Sequence, residues 1–266
     1  MAPFELAEPT SLSEAFSLLD SEGTRPFSGG TALMLMMKAG ILRPARLVSL
    51  RKLGLEKIEA NGALRIGAMT TLRSLETNPQ VKKGWPVIAR ALRTLSNVRV
   101  RNVATVGGAL AHADPHMDLP PLLAALGANV AVEGKTGRRV MPVEDLYAGY
   151  LENVLKRDEI ITHVEVPALG KRRAAYLKCT TRSADDWPAV AVAVVVAEKE
   201  QGEKEQGDEE RIFVSAATDR PTRLASAEAV ESLKIEGDLH GSAEYKKQLL
   251  RVYLRRAIQE AREARG

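Results

Sequence analysis

Cysteine is nearly absent from this 266-residue sequence, which contains Cys179 alone. One thiol cannot form an internal disulfide, an all-cysteine zinc site or a self-contained iron–sulfur cluster, because each of these needs several thiolates. Long apolar runs are also missing: the longest, Ala189 to Ala197, has nine residues, whereas a bilayer span needs about 20. The first residues lack the basic-then-apolar order of a signal peptide. We therefore expect no membrane span, no export and a reducing cytoplasm.

Positive charge exceeds negative charge only slightly. The sequence has 38 Lys and Arg against 34 Asp and Glu, a formal net charge of +4. A surface that binds nucleic acid normally shows a concentrated basic stripe or a recognised module. Here the basic residues are scattered, with one concentration in the last helical segment that is interleaved with acids further on. This pattern favours a solvated helix face, so we expect no nucleic-acid partner.

Helical and strand patterns are mixed along the chain without the regular alternation of a doubly wound sheet, which predicts an α+β fold. An alternating strand pattern from Ile160 to Val166 ends at Pro167, so we place a domain boundary there and predict domains at 1–168 and 169–266. In the second domain the apolar run predicts a buried strand, and helices are predicted at 225–233 and 244–262. The sequence Glu-Lys-Glu-Gln-Gly occurs twice between 198 and 207 and predicts a mobile loop.

Two glycine pairs are the first candidates for binding chemistry: Ser28-Gly29-Gly30-Thr31 and Thr105-Val106-Gly107-Gly108. We predict a strand from Phe27 to Thr31 that leads into a helix, and a turn at the second pair. Glycine lets a backbone N–H approach a phosphate closely, a helix start adds N–H donors, and the two threonines add hydroxyls. Each pair alone could be a simple tight turn, but together they indicate a diphosphate held from both sides.

Neither glycine pair has the pattern of a common nucleotide motif. No Gly-Lys-Ser/Thr follows, which excludes a P-loop, and Gly-x-Gly-x-x-Gly is missing, so a Rossmann site is unsupported. Four possible ligands alternate at His112, Asp114, His116 and Asp118, and on one strand they could bind a metal. Because Pro115 interrupts that geometry, we expect capping and hydrogen bonding rather than a metal site.

Lys178 and Arg182 precede the stretch Asp185-Asp186-Trp187-Pro188. Two interpretations are open. The four charged residues could form a surface ion-pair patch, which contributes little to stability. Alternatively, Lys178 could have a cationic role beside an anion or an electron-rich ring.

Together these motifs are similar to one family. Residues 28–33, 100–120 and 178–188 resemble the flavin loops and the C-terminal domain start of the FAD-binding medium subunit of molybdenum hydroxylases, the xanthine dehydrogenase and carbon monoxide dehydrogenase family. The resemblance covers about residues 1–262. It implies a vanillyl-alcohol-oxidase (PCMH) type fold with two FAD-binding subdomains, at about 1–55 and 56–168, and a C-terminal α+β domain.

The resemblance also implies which residues contact FAD. The two loops would clasp its diphosphate, Asp118 would hold the ribityl or adenosine part, and Ile161 and, more weakly, Leu95 would be apolar contacts. Lys178 would lie near the flavin and favour its anionic reduced form. The implied cofactor-binding residues are Phe27, Ser28, Gly29, Gly30, Thr31, Ala32, Leu33, Thr105, Gly107, Gly108, Ala109, Asp118, Ile161 and Lys178.

Three positions depart from the family pattern. Ala109 replaces the usual asparagine after the second glycine pair, Ala32 replaces a common polar residue, and Ser215-Ala216-Ala217 stands where a glycine-rich strand end is usual. The first two departures bear on the tightness of flavin binding and not on the fold.

The function implied is that of an electron-transfer flavoprotein subunit. Because one cysteine cannot hold a cluster, the iron–sulfur and molybdenum centres would sit on other chains: a molybdenum-cofactor large subunit and a 2Fe–2S small subunit, in a dimer of heterotrimers. One alternative is a free-standing FAD-dependent oxidase of the same fold, which would need its own substrate base. Another is a non-enzymatic anion-binding or nucleic-acid-binding protein, supported only by the charge.

Overall fold

The computed structural model describes residues 1–197 and 210–264, so the charged repeat at 198–207 lies outside the described residues. Within these ranges, no helix is long and apolar enough to cross a membrane. The strands are β1 Glu5–Ala7, β2 Thr24–Phe27, β3 Arg46–Ser49, β4 Ile58–Asn61, β5 Ala63–Gly67, β6 Asn129–Gly134, β7 Gly137–Pro142, β8 Tyr147–Gly149, β9 Glu152–Asn153, β10 Ile160–Val166, β11 Arg173–Thr180, β12 Pro188–Val196, β13 Arg211–Ser215 and β14 Thr222–Leu224. The helices are α1 Leu12–Leu19, α2 Leu33–Lys38, α3 Leu72–Thr77, α4 Pro79–Gly84, α5 Pro86–Arg93, α6 Val98–Arg101, α7 Val106–His112, α8 Leu119–Ala125 and α9 Ala243–Glu263, with 3₁₀ helices at Val143–Leu146 and Ala227–Ser232.

A small parallel sheet in the order β1-β3-β2 begins the fold. Helix α1 starts after Ser11, whose side chain accepts the Glu14 N–H, and buries Phe16 and Leu19 beside the sheet. Strand β2 lies at an edge, where Pro26 removes no interior ladder bond. This sheet delivers the first glycine pair at the end of β2.

A five-stranded antiparallel sheet in the order β4-β5-β10-β6-β7 forms the centre. Its β10, found at the predicted 160–166, pairs with β5 on one side and β6 on the other. Helices α3, α5, α7 and α8 contribute to the same large core, in which Ile66, Leu92, Leu122 and Val164 are fully buried. The segment that contains the second glycine pair is thereby held against this sheet.

The C-terminal sheet runs in the order β11-β12-β13-β14. Strand β12 confirms the predicted buried strand, and both of its faces are covered. Val192 and Val194 pack in the core that includes α9, whereas Ala193 and Val195 pack in the central core with α8. A strand buried on both faces is expected to read as a continuous apolar run. The two parts of the chain therefore share one packed layer, and the domain boundary at Pro167 stays a prediction.

Three local predictions are wrong in detail. The strand expected from Phe27 to Thr31 ends at Phe27. The Phe27 carbonyl accepts the Leu50 N–H, and in the loop that follows, Gly30 has φ +72°, which is outside the β region. The expected turn at the second glycine pair is the first turn of α7. The helix expected at 225–233 is a 3₁₀ helix, closed by a bond from Ala229 N–H to the Ser226 carbonyl. The predicted last helix is confirmed as α9.

Candidate functional site

The two glycine pairs lie side by side, although 77 residues separate Ser28 from Thr105 in sequence. A β-carbon built on Gly108 would stand 2.7 Å from Ser28 Oγ and 2.9 Å from Thr105 Oγ1. One built on Gly29 would meet the Val103 carbonyl and stand 2.9 Å from Ala104 Cα. At Gly29 the neighbouring atoms are backbone, so this position requires glycine for the loops to approach each other. At Gly108 they are the hydroxyl oxygens of Ser28 and Thr105, which a side chain could occupy only by displacing both.

The first loop exposes a row of unused backbone donors. Within the described residues, the N–H groups of 28–33 have no hydrogen-bond acceptor, and every residue of the row is half-buried. Helix α2 begins after Ala32, which offers no side-chain cap. Backbone donors away from water are costly unless they are bonded. The loop therefore fits an anion with several oxygen atoms, such as a diphosphate.

The second loop differs from the first, because its helix-start donors are already occupied. Gly107 N–H donates to the Ala68 carbonyl at 2.8 Å, and Gly108 N–H donates to Thr105 Oγ1 at 3.1 Å. The second pair was expected to form a turn whose backbone N–H groups approach the diphosphate; that expectation is corrected, because both N–H groups are bonded within the protein and the Thr105 hydroxyl caps α7. What the second pair provides in this structure is the absence of a side chain at Gly108, beside Ser28, while Gly107 packs against Ala68.

Asp118 and Lys178 form a buried ion pair. Lys178 Nζ lies 3.0 Å from Asp118 Oδ1, and the two side chains are 7% and 8% exposed. The Tyr176 hydroxyl donates to the same carboxylate oxygen at 2.7 Å. Burial raises the pKa of Asp118 above its ordinary value although the ammonium opposes this, and burial together with Asp118 raises the pKa of Tyr176. The structure thus brings together two predicted site residues from opposite sides of the proposed boundary.

The ammonium of Lys178 has its hydrogen-bonding capacity filled. Besides Asp118 it donates to the Thr94 carbonyl at 2.8 Å and to the Asp186 carbonyl at 3.3 Å. A lysine has three donors, so Lys178 is a fixed positive charge rather than a free donor. The interpretation of Lys178 as part of a surface ion-pair patch with Asp185 and Asp186 is wrong. Lys178 forms its ion pair with Asp118, and Asp186 accepts from it through the backbone carbonyl.

The loop before Asp118 is held by a chain of charged groups. His116 Nδ1 lies 3.0 Å from Asp114 Oδ1, and His116 Nε2 lies 2.9 Å from Asp238 Oδ2. Lys246 of α9, itself buried, donates to Asp238 at 2.6 Å. Although burial opposes it, hydrogen bonds to both carboxylates raise the pKa of His116. Among the described residues no group of three or more His, Cys, Asp or Glu is arranged to hold a metal.

The remaining predicted contacts occupy different environments. The Phe27 ring lies over Gly30, where an added β-carbon would stand 2.6 Å from Phe27 Cε2. Ala109 is buried in α7. Ile161 of β10 is 4% exposed and packs in the central core, and Leu95 is also buried there. The roles of these residues toward FAD stay predictions.

Two features of the site were missed in the sequence. Tyr176 and Lys178 are two residues apart on β11, so they share a face of the strand, and that spacing was a usable signal. The buried Arg101 had no such signal: it pairs with Glu76 at 2.9 Å and donates to the carbonyls of Leu95 and Ser96. The two carbonyl contacts are local and fix the turn that follows Thr94, and the Glu76 contact ties that turn to α3.

Comparisons with known proteins identify the family. The family described as FAD binding domain in molybdopterin dehydrogenase matches residues 2–169. The nicotine 6-hydroxylase medium subunit of Paenarthrobacter nicotinovorans is 32% identical, with 96% of each chain covered. The glyceraldehyde dehydrogenase medium chain of Sulfolobus acidocaldarius is 29% identical over 97% of this chain and 98% of that relative.

A solved structure supports the same assignment. A chain of carbon monoxide dehydrogenase from Hydrogenophaga pseudoflava superposes with a TM-score of 0.91 at 29% identity and covers 98% of both chains. This confirms the predicted α+β FAD-binding fold, and with it FAD as the cofactor. The chain belongs to the family of FAD-binding medium subunits of molybdenum hydroxylases, and it is a flavoprotein subunit of an oxidoreductase.

Proposed function

We propose that this chain carries electrons within a multi-subunit molybdenum hydroxylase, from iron–sulfur clusters on a partner chain through FAD to a terminal acceptor. When bound, FAD supplies the exchange of single electrons and electron pairs that protein side chains cannot provide. The residues of this chain bind the cofactor, orient it and set the charge around it.

The observation that carries the proposal is the row of unbonded N–H groups in the first loop, beside Gly108 of the second loop, which has no side chain. We assign the diphosphate to this cleft because phosphate oxygens satisfy several N–H groups at once. Lys178 contributes a fixed positive charge, and Asp118 holds that charge in place. The proposed contacts are Phe27, Ser28, Gly29, Gly30, Thr31, Ala32, Leu33, Thr105, Gly107, Gly108, Ala109, Asp118, Ile161 and Lys178.

The proposed partner chains follow from the redox centres that this chain cannot bind. Cys179 is its one cysteine, so an iron–sulfur cluster must be ligated by another chain. Relatives named for carbon monoxide, nicotine and glyceraldehyde chemistry match this chain along nearly its whole length, so we assign the choice of substrate to a molybdenum-bearing chain. We propose a complex with a molybdenum-cofactor large subunit and a 2Fe–2S small subunit, assembled as a dimer of heterotrimers. The low cysteine content supports a cytoplasmic location.

The proposal is tested by purifying the complex through a tag on this chain and measuring FAD, iron and molybdenum per protein. We expect flavin absorption together with stoichiometric iron and molybdenum. FAD without either metal would instead support the free-standing oxidase, and no flavin band even after FAD is added would contradict both.

The loop assignment has its own test. Gly108→Leu should abolish FAD retention, because the new side chain would begin 2.7 Å from Ser28 Oγ in the cleft. The matched control is Gly84→Leu, since a β-carbon at Gly84 meets nothing within 4 Å. Full flavin occupancy in the Gly108 variant would refute the assignment of the second loop.

A further inference from the structure

The positive charge of this protein is concentrated in one helical layer. Residues 66–113, which contain α3 to α7, include seven Lys or Arg and a single acidic residue, Glu76. That gives this layer a formal charge of +6, whereas the rest of the chain carries −2. The basic residues look scattered in the sequence, but the fold gathers them on one part of the molecule.

The single acid of the layer does not relieve the surface charge. Glu76 is buried and bonded to two arginines, Arg73 at 2.7 Å and Arg101 at 2.9 Å. Hydrogen bonds and charge from these arginines hold its pKa below the ordinary value although burial opposes this. Arg101 is buried as well. The exposed charged residues of the layer are therefore all cations.

Five cations of the layer are exposed, and within the described residues none of them has an ion-pair partner. We call this surface the basic face. Soluble proteins usually intersperse both signs of charge, and a field of one sign is a device for steering a partner. The basic face consists of Lys82, Arg90 and Arg93, which line one groove, together with Lys83 next to Lys82 in α4 and Arg99 in α6.

The basic face has a shape that a protein partner could fill. A groove of about 360 Å³ lies between its helices, lined by Thr77, Pro86 and Ala89, by the cations Arg73, Lys82, Arg90 and Arg93, and by the paired carboxylate of Glu76. Two apolar residues at the end of the layer, Val98 and Val103, are 46% and 51% exposed. Apolar contacts beside a charged rim are typical of protein interfaces.

The basic face borders both halves of the candidate flavin site. Arg93 precedes Thr94, whose carbonyl accepts from Lys178 Nζ. Val103, at the end of the same helical layer, has its carbonyl oxygen packed where a β-carbon on Gly29 of the first loop would stand, so only glycine permits that approach. A partner bound on these helices would therefore stand next to the segments that hold the cofactor, as an electron donor must.

We propose that the basic face is the docking surface for the iron–sulfur partner chain, which would present an acidic surface to it. This inference rests on the function proposed above. Attraction between opposite charges speeds association about 10 to 10³-fold and weakens as salt is raised. The face would thus serve to bring the donor chain to the flavin side of this subunit.

The test compares two charge reversals in the intact complex, purified through a tag on this chain. Lys82→Glu with Arg93→Glu removes two cations of the basic face, and Arg255→Glu with Arg256→Glu changes the net charge equally on the exposed side of α9. We expect the first pair to lower the iron-to-FAD ratio at least tenfold at moderate salt and the second pair to leave it unchanged. Lys82→Gln with Arg93→Gln should give an intermediate loss. FAD content and thermal midpoint report folding in every variant.

The outcomes separate this proposal from the proposed function. Wild-type complex that contains FAD without iron would overturn the function and this inference together. Wild-type complex with iron, and a basic-face variant that keeps the same iron-to-FAD ratio at every salt concentration, would overturn the docking surface alone. A variant that keeps its iron but loses reduction of an added nucleotide or ferredoxin acceptor would assign the basic face to the acceptor, and would likewise overturn the inference.

Discussion

Removing one partner of the buried Asp118–Lys178 ion pair should lower the unfolding free energy of the protein and make it depend on pH. In Lys178→Met the carboxylate of Asp118 keeps only the Tyr176 hydroxyl as a described side-chain donor. Both charged side chains are almost fully enclosed, so water cannot take the place of the ammonium. Loss of one partner from a buried pair typically costs about 3–5 kcal/mol of unfolding free energy, because the other charge is left uncompensated.

The cost of Lys178→Met should depend on pH in a defined direction. Burial already raises the pKa of Asp118, and loss of the ammonium raises it further. A carboxyl group whose pKa is higher in the folded state binds its proton more tightly when folded, so folding is favoured at low pH. The unfolding free energy of the variant should therefore fall as pH rises above about 4, by up to about 1.4 kcal/mol per pH unit, until the folded-state pKa is passed.

Urea unfolding of the FAD-free full chain at pH 4.5 and 7.5 measures this without a contribution from cofactor loss. We expect Lys178→Met to lose most at pH 7.5. The double variant Asp118→Asn with Lys178→Met should recover part of the loss and show little pH dependence, because no charge remains. A loss below about 1 kcal/mol at pH 7.5, or one that is equal at both pH values, would refute the reasoning from a buried charged pair.

Three further predictions concern single positions. Gly29→Ala should weaken FAD binding at least tenfold in a flavin-fluorescence titration, because its β-carbon would meet the backbone of Val103 and Ala104. The control Gly84→Ala, whose β-carbon meets nothing within 4 Å, should not weaken it, and equal affinities would contradict the close packing of the loops. His116→Gln should flatten the pH dependence of the thermal midpoint. Because the pKa of His116 is raised in the folded state, its contribution to the unfolding free energy is complete below about pH 6.5 and is lost as pH rises through the folded-state pKa. A wild-type protein equally stable at about pH 6 and 9 would count against this prediction. Ala216→Gly should raise the unfolding free energy by about 0.5–1 kcal/mol, since Ala216 has φ +66° and relief of about 1–2 kcal/mol outweighs the added chain entropy; an unchanged urea midpoint would argue against strain there.

Elements governed by local patterns were predictable from the sequence. The apolar run at β12, the alternation at β10 and the polar-apolar spacing of α9 each predicted the right element within a few residues. The second glycine pair was predicted as a turn, but it lies in the first turn of α7 although glycine is a poor helix former. Its helix forms because Thr105 caps it locally and because the Ala68 carbonyl at the sheet end accepts the Gly107 N–H, and the second of these partners is supplied by tertiary structure.

The candidate site was predictable in its members but not in their pairing. The glycine motifs and Lys178 were recognised from residue types and resemblance. Which carboxylate meets Lys178 depends on the tertiary contact that brings β11 beside Asp118 at the start of α8, and Asp118 lies 60 residues earlier in the chain. Nearby acids at 185 and 186 were the natural choice for a partner, since sequence distance was the available guide.

The shared core explains why a cofactor site can be built across the proposed domain boundary. Alternate residues of β12 face α9 and α8, so the C-terminal sheet cannot separate from the helix that begins after Asp118 without exposing both layers to water. In the loop that precedes this helix, the Pro115 carbonyl accepts a hydrogen bond from Ser215 Oγ at 2.7 Å. The loop from 114 to 118 is therefore fixed by groups that belong to the C-terminal part. A change that loosens this packing should displace Asp118 and Lys178 together, and so should weaken flavin binding even when both glycine pairs are intact.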